Sequence, residues 1–111
     1  MTIAEIALTP DERFILVTNR EDKSVDGADS LATWELGAGG KGELKFRGLA
    51  SVGGSFPRHF AINKKGDLVA VGLQKSAKVT VLKRDVGSGE VAGVVAECVV
   101  EGEVTCVIWD E

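Results

Sequence analysis

The sequence predicts an all-β chain made of two four-stranded antiparallel blades of a β-propeller, followed by one closing strand. Three observations predict this fold class. Short apolar runs alternate with turn-rich clusters, the runs recur as an internal repeat, and each copy of the repeat holds four runs. A repeat of about 50 residues with four short strands is typical of a propeller blade. None of the runs has a helical period.

The apolar runs are rich in Val, Ile and Thr, and Gly, Pro, Asn and Asp separate them, which favours strands joined by turns. Most runs are apolar on both alternating sides, as in Phe14-Ile15-Leu16-Val17. This predicts sheets covered on both faces, as blades are by their neighbours. We place the strands at Ala4–Leu8, Phe14–Thr18, Ser30–Leu36, Leu44–Ser51, His59–Ile62, Leu68–Leu73, Lys78–Lys83, Val91–Val99 and Thr105–Trp109.

The repeat defines the units. Glu5–Val17 lies over His59–Val71, 54 positions later, whereas Ser30–Leu36 lies over Ser76–Leu82, 46 positions later. The difference indicates an eight-residue insertion in the first copy, within 21–29. We therefore assign one blade to residues 1–56, a second blade to 57–103 and a strand of a further blade to 104–111. Two blades do not close a ring, so we expect the missing N-terminal blades of the same protein to complete it.

Charge and composition exclude several classes of protein. The chain has 13 Lys and Arg against 17 Asp and Glu, and a nucleic-acid surface needs the opposite balance. No apolar run approaches the roughly 18 residues of a membrane span, which argues against a membrane partner. The residues Met1–Glu5 show no signal peptide. The cytoplasm is therefore the favoured compartment, with secretion as the alternative if a missing N-terminus carries a signal.

Cys98 and Cys106 are the only cysteines, and neither belongs to a CxxC motif. A single His cannot complete a zinc site with them, so we expect no metal and no cofactor. We predict that both are free, buried thiols that pack in the core, with a bridge across a tight hairpin as the alternative. Trp109-Asp110 resembles the dipeptide of WD40 repeats, but the two earlier copies lack it, which argues against that class.

Propeller geometry sorts the loops into two ends. If strands A to D run outward from the central axis, the D–A links and the B–C turns share one end. That end holds Arg58, His59, Asn19, Arg20 and Gln74, and loops on a rigid scaffold usually carry the functional site. We predict a pocket at this end of the channel.

The residue types suggest roles in that pocket. Arg58 is the candidate for binding an anionic group, because a guanidinium holds a carboxylate or phosphate in a bidentate fork. His59 is the candidate general base, because its pKa suits proton transfer near neutral pH. Asn19, Arg20 and Gln74 are the candidate substrate contacts, with Lys75 beside them. The structural alternatives are a bridge between blades for Arg58, a buried hydrogen-bonded His59, and exposed turns for the others.

The chain resembles the lactonase family of seven-bladed propellers, which includes 6-phosphogluconolactonases and 3-carboxy-cis,cis-muconate lactonising enzymes. The resemblance lies in Glu5–Asp11, Val17–Arg20, Phe56–Ile62, Gly66–Gln74, and Val79–Asp85 followed by Gly89. The insertion and the residues from Gly102 to Glu111 look more like fungal members. The resemblance implies a parent that hydrolyses small, often anionic, lactones, with a small-molecule lactone or organic acid as partner. A lactone-forming cycloisomerase and a non-catalytic binding propeller are the alternatives.

Overall fold

The computed structural model describes residues 2–20, 27–37, 43–100 and 107–109. These residues form eight strands and no helix. No helix long and apolar enough to cross a membrane occurs among them. The strands are β1 (Thr2–Leu8), β2 (Phe14–Arg20), β3 (Ser30–Leu36), β4 (Leu44–Ser51), β5 (Pro57–Ile62), β6 (Leu68–Leu73), β7 (Lys78–Arg84) and β8 (Val91–Val99).

The strands form two antiparallel sheets in the orders β1-β2-β3-β4 and β5-β6-β7-β8. Each sheet is one blade, and its strands follow each other in sequence because each is joined to the next by a short turn or loop. The predicted pair of four-stranded blades is thereby confirmed. The strand β2 is longer than predicted and ends at Arg20, because Asn19 pairs with Ser30 in the ladder to β3.

The two blades pack face to face around one apolar core. Blade one contributes side chains from β2, β3, β4 and the segment after β4, and blade two contributes from β5, β6 and β7. The core residues are Leu16, Leu31, Ala50, Val52, Phe60, Val69, Val71, Leu73 and Leu82. The buried hydroxyl of Thr80 donates to the carbonyl oxygen of Val52 at 2.7 Å. This hydrogen bond joins the two blades and satisfies the hydroxyl within the core.

The far face of blade one is also apolar but open. Along β1, Ala7 packs against the core, whereas its neighbours Ile6 and Leu8 are 61% and 49% exposed. Phe46 and Leu49 on β4 are about half exposed on the same far face, which follows from the strand registers. The prediction that the strands are apolar on both sides therefore holds, and one side of this blade has no cover in the two-blade unit.

Two expectations change at the C-terminal part of the chain. Cys98 is free but exposed on β8, because β8 is the outer strand and its side chains are largely uncovered. The expected burial of Cys98 is therefore wrong, and Cys106 lies outside the described residues. Of the predicted last strand, only Val107–Trp109 are described, and they are not in a strand. They contact β5 through two hydrogen bonds instead, one from the backbone of Val107 and one from the side chain of Trp109.

Candidate functional site

The link between the blades and the turn between β6 and β7 meet at one end of the molecule. Ser55 N donates to Ser76 Oγ at 2.9 Å, and Gln74 N donates to the carbonyl oxygen of Phe56 at 2.8 Å. The loop before β3 joins them, because Phe56 N donates to a carboxylate oxygen of Asp29 at 2.9 Å. These bonds show that the D–A link and the B–C turns meet, as predicted. They also hold in place the loops that carry the candidate site.

A carboxylate and an imidazole meet on the two innermost strands. Nε2 of His59 on β5 lies 3.4 Å from Oε2 of Glu5 on β1. Nδ1 of His59 accepts a hydrogen bond from the backbone N–H of Val107 at 3.0 Å. A ring whose Nδ1 accepts carries its proton on Nε2 in the neutral form, and Nε2 is the nitrogen that lies beside Glu5. Both side chains are about 30% exposed, so this pair reaches solvent.

The C-terminal segment closes over the same strand. Trp109 Nε1 donates to the carbonyl oxygen of Ala61 at 2.7 Å, two residues after His59. Together with the bond from Val107, this fixes 107–109 beside β5 with two directed contacts. His59 therefore joins three stretches of chain that are far apart in sequence, which fits its structural alternative.

Arg58 is exposed at the start of β5. It makes no hydrogen bond, ion pair or ring contact with any other residue that the structure describes, so the proposed bridge between these two blades is not formed. An exposed guanidinium on an inner strand keeps all five donors available to a ligand.

The other predicted contacts fall into two groups. Asn19 is a buried strand residue and not a loop residue, and its amide donates to Ser30 Oγ at 3.2 Å. This bond occupies its amide nitrogen within the sheet. Arg20 and Lys75 lie against the ring of Phe56, and the guanidinium carbon of Arg20 is 5.9 Å from the ring centroid. Gln74 contacts Phe56 through its backbone N–H.

The sequence did not point to Glu5 or Phe56 as site residues. The repeat could have indicated Glu5, because Glu5 and His59 occupy equivalent positions in its two copies. Equivalent positions on the inner strands of adjacent blades are neighbours. Phe56 gave no signal, since a single aromatic residue in a loop is usually a packing residue. Its contacts depend on three loops that are distant in sequence.

The opposite end of the blades holds a second arginine cluster. Arg84 is buried, and its Nη1 donates to the carbonyl oxygen of Gly66 at 2.7 Å. Its guanidinium carbon lies 4.9 Å from the centroid of Phe14, and that of Arg13 lies 5.1 Å from the same ring. Burial lowers the pKa of Arg84, and the charge of Asp11 opposes this effect. This cluster joins the blades away from the candidate site.

The comparisons with known proteins agree with the two-blade fold. A family model described as "Lactonase, 7-bladed beta-propeller" matches residues 1–109. The chain belongs to this lactonase family. It is 31% identical over 99 residues to a 6-phosphogluconolactonase of Formosa agariphila, and the match covers 89% of this chain and 27% of that protein. The chain thus spans about a quarter of the length of this lactonase relative.

Solved structures place the two blades within larger lactonase propellers. A periplasmic gluconolactonase of Pseudomonas aeruginosa superposes with a TM-score of 0.79 at 33% identity, over 91% of this chain and 26% of that chain. A proposed 6-phosphogluconolactonase of Bacteroides fragilis gives 0.80 at 23% identity, over 94% and 27%, which shows the shared fold. These lactonases are bacterial, and they lend no support to the closer resemblance to fungal members.

Proposed function

We propose that these two blades are part of a seven-bladed lactonase that hydrolyses small, anionic lactones. One observation carries the proposal. A chain of the lactonase family places a carboxylate, an imidazole and an exposed guanidinium on its two inner strands, at Glu5, His59 and Arg58. Relatives named as 6-phosphogluconolactonase and gluconolactonase support the reaction class.

Hydrolysis of a lactone needs a base for the attacking water. His59 remains the base that the sequence suggests, but its Nδ1 lone pair is used by the N–H of Val107 and its Nε2 carries the proton. His59 accepts a proton only if the contact to Val107 breaks. The carboxylate of Glu5 keeps free lone pairs and is partly exposed. We therefore assign the base to Glu5 and a positioning role to His59, which orients that carboxylate.

The steps balance without a cofactor. Water gives a proton to the Glu5 carboxylate as its oxygen bonds to the lactone carbonyl carbon. The tetrahedral oxyanion then re-forms the carbonyl, the ring C–O bond breaks, and the leaving alkoxide takes the proton from Glu5. Arg58 supplies positive charge, either to the oxyanion or to an acidic group of the substrate.

Lactone turnover by the natural-length protein, meaning the proposed seven-bladed protein that contains these two blades, tests this proposal. Gluconolactone and its 6-phosphate are the substrates to compare, with spontaneous hydrolysis subtracted. Arg58→Lys keeps the charge but loses the fork, and we expect it to reduce affinity about ten- to a hundredfold. Arg58→Ala with unchanged affinity and turnover, in a folded protein, would move the anion site to another blade.

Other outcomes of the same assay identify the alternative functions. A carboxymuconate-type cycloisomerase forms a lactone from an unsaturated acid and would turn over cis,cis-muconates instead. A binding propeller would bind the lactone or its acid with no turnover. Either result would overturn the hydrolase proposal while leaving the fold unchanged.

A further inference from the structure

Three loops converge on one aromatic ring at the end of the blades that holds the candidate site. Phe56 lies in the link between the blades, Arg20 ends β2, and Lys75 lies in the turn between β6 and β7. Lys75 Nζ is 3.9 Å from the Phe56 ring centroid, and the Arg20 guanidinium carbon is 5.9 Å from it. Both distances are within the range of a cation–π contact.

The backbone of Phe56 is held in a conformation that is unfavourable for its residue type. Its φ is +62°, in the left-handed region where a residue other than glycine is uncommon. The hydrogen bonds to Asp29 and from Gln74 hold the peptide groups on either side of the ring. Strain that is retained by directed bonds is found most often at ligand and active sites. It keeps the ring between the two cations.

No ion pair with a described residue explains the proximity of the two cations. Among the described residues, neither Arg20 nor Lys75 forms an ion pair, and Lys75 is exposed. The carboxylate of Asp29 contacts the backbone of Phe56 and contributes negative charge here. Two positive charges around one ring repel each other, and further negative charge beside them relieves this repulsion. A ring quadrupole supplies a small part of that charge. A bound oxyanion would supply the rest.

We propose that Phe56, Arg20 and Lys75 form a subsite for an oxyanion, phosphate or carboxylate, of a small acidic ligand. The identity of the ligand, an acid sugar or its lactone, rests on the proposed function. The site itself does not depend on it. Arg20 offers a planar fork and Lys75 a point charge, a combination suited to a group with three oxygens. Phe56 is a positioning residue that sets the distance between them.

Calorimetry on the natural-length protein tests the subsite with three probes: 6-phosphogluconate, gluconate and inorganic phosphate. Lys75→Gln is the main variant, because an exposed side chain changes charge without disturbing the fold. We expect about tenfold weaker binding of 6-phosphogluconate, and more in the double variant with Arg20→Gln. Lys65→Gln is the matched control, since Lys65 is an exposed lysine at the opposite end of the blade, and it should leave affinity unchanged.

The pattern across the probes identifies the group that binds. A loss confined to 6-phosphogluconate and inorganic phosphate indicates phosphate, whereas an equal loss for gluconate indicates the carboxylate. Equal affinities of the Lys75→Gln variant and the parent, or no binding of any probe by the parent, overturn the subsite. If the protein turns over the lactone but Lys75→Gln leaves the affinity unchanged, the subsite is refuted and the lactonase proposal stands. If binding depends on Lys75 but no lactone is turned over, the subsite stands and the lactonase proposal is refuted.

Discussion

The carboxylate of Glu5 and the imidazole of His59 occupy equivalent positions in the two copies of the repeat and contact each other across the blades, at 3.4 Å. The contact is a direct consequence of propeller geometry, because inner strands of adjacent blades lie side by side around the axis. The same repeat position thus carries a carboxylate in one copy and an imidazole in the other, and the two groups form a pair. The second nitrogen of His59 is held by the backbone of Val107.

This pairing predicts unequal effects of two substitutions in the natural-length protein. Glu5→Gln removes the negative charge and the basicity of the carboxylate, and it should lower kcat by about two to four orders of magnitude. His59→Gln keeps a donor for Glu5 and an acceptor for Val107, so kcat should fall less than about tenfold. Steady-state turnover of a lactone measures both. Equal losses in the two variants would make His59 the base.

Gly89 should tolerate no side chain. Its φ is +81°, and an added Cβ would overlap the ring of Phe14 from the other blade. We expect Gly89→Ala to destabilise the natural-length protein by about 3 kcal/mol, the sum of backbone strain and overpacking. Urea unfolding measures it.

Gly93→Ala is the matched control for Gly89→Ala. Gly93 also has a positive φ, +126°, but a Cβ there meets no atom within 4 Å. It should cost about 1 kcal/mol from strain alone. Similar losses for the two alanines would show that the contact between Phe14 and Gly89 does not hold the blades together.

Stability should fall in acid through two turn aspartates, Asp67 and Asp85. The hydrogen bond from Ser88 N–H lowers the pKa of Asp85 more than desolvation raises it, and the bond from the Asn63 amide lowers the pKa of Asp67 in the same way. A carboxyl group with a lowered folded pKa binds fewer protons than in the unfolded chain. Its contribution is therefore present at neutral pH and is lost as pH falls through the folded pKa.

Thermal unfolding between about pH 3 and pH 7 measures this effect. The parent should lose Tm in acid, and Asp85→Asn should show a shallower dependence because one linked group is gone. A slope identical to the parent would show that the Asp85 turn does not contribute. Ser88→Ala keeps the larger contribution, from the Ser88 backbone N–H, and removes only the smaller one from its hydroxyl, so it should change the pH dependence less than Asp85→Asn does.

The 111-residue chain expressed alone should self-associate. Ile6, Leu8, Phe46 and Leu49 leave an apolar face open on blade one, and Val95 and Val99 are exposed on blade two. Stable monomers rarely expose such patches. We expect oligomers or aggregates in sedimentation velocity, reduced by Ile6→Lys with Leu8→Lys. A monomer with cooperative melting at all concentrations would contradict this expectation.

The sequence by itself determined the fold class and the strand positions. Strand pairing is local in this protein, because each run of Val, Ile and Leu lies between turn residues and pairs with the next run of the same blade. Periodicity and turn chemistry are therefore sufficient to place β3, β4, β6 and β8 at their observed bounds. The repeat added the grouping into blades, because its two copies differ by a single insertion.

Only the tertiary structure decided which side chains meet. The pair of Glu5 with His59, the ring of Phe56 between Lys75 and Arg20, and the burial of Arg84 against Phe14 all join residues from different blades. The distance across blades depends on how two sheets twist and pack, and no local pattern contains that information. Exposure was likewise decided in three dimensions, since Cys98 reads as an apolar strand residue but lies on an outer strand that nothing covers.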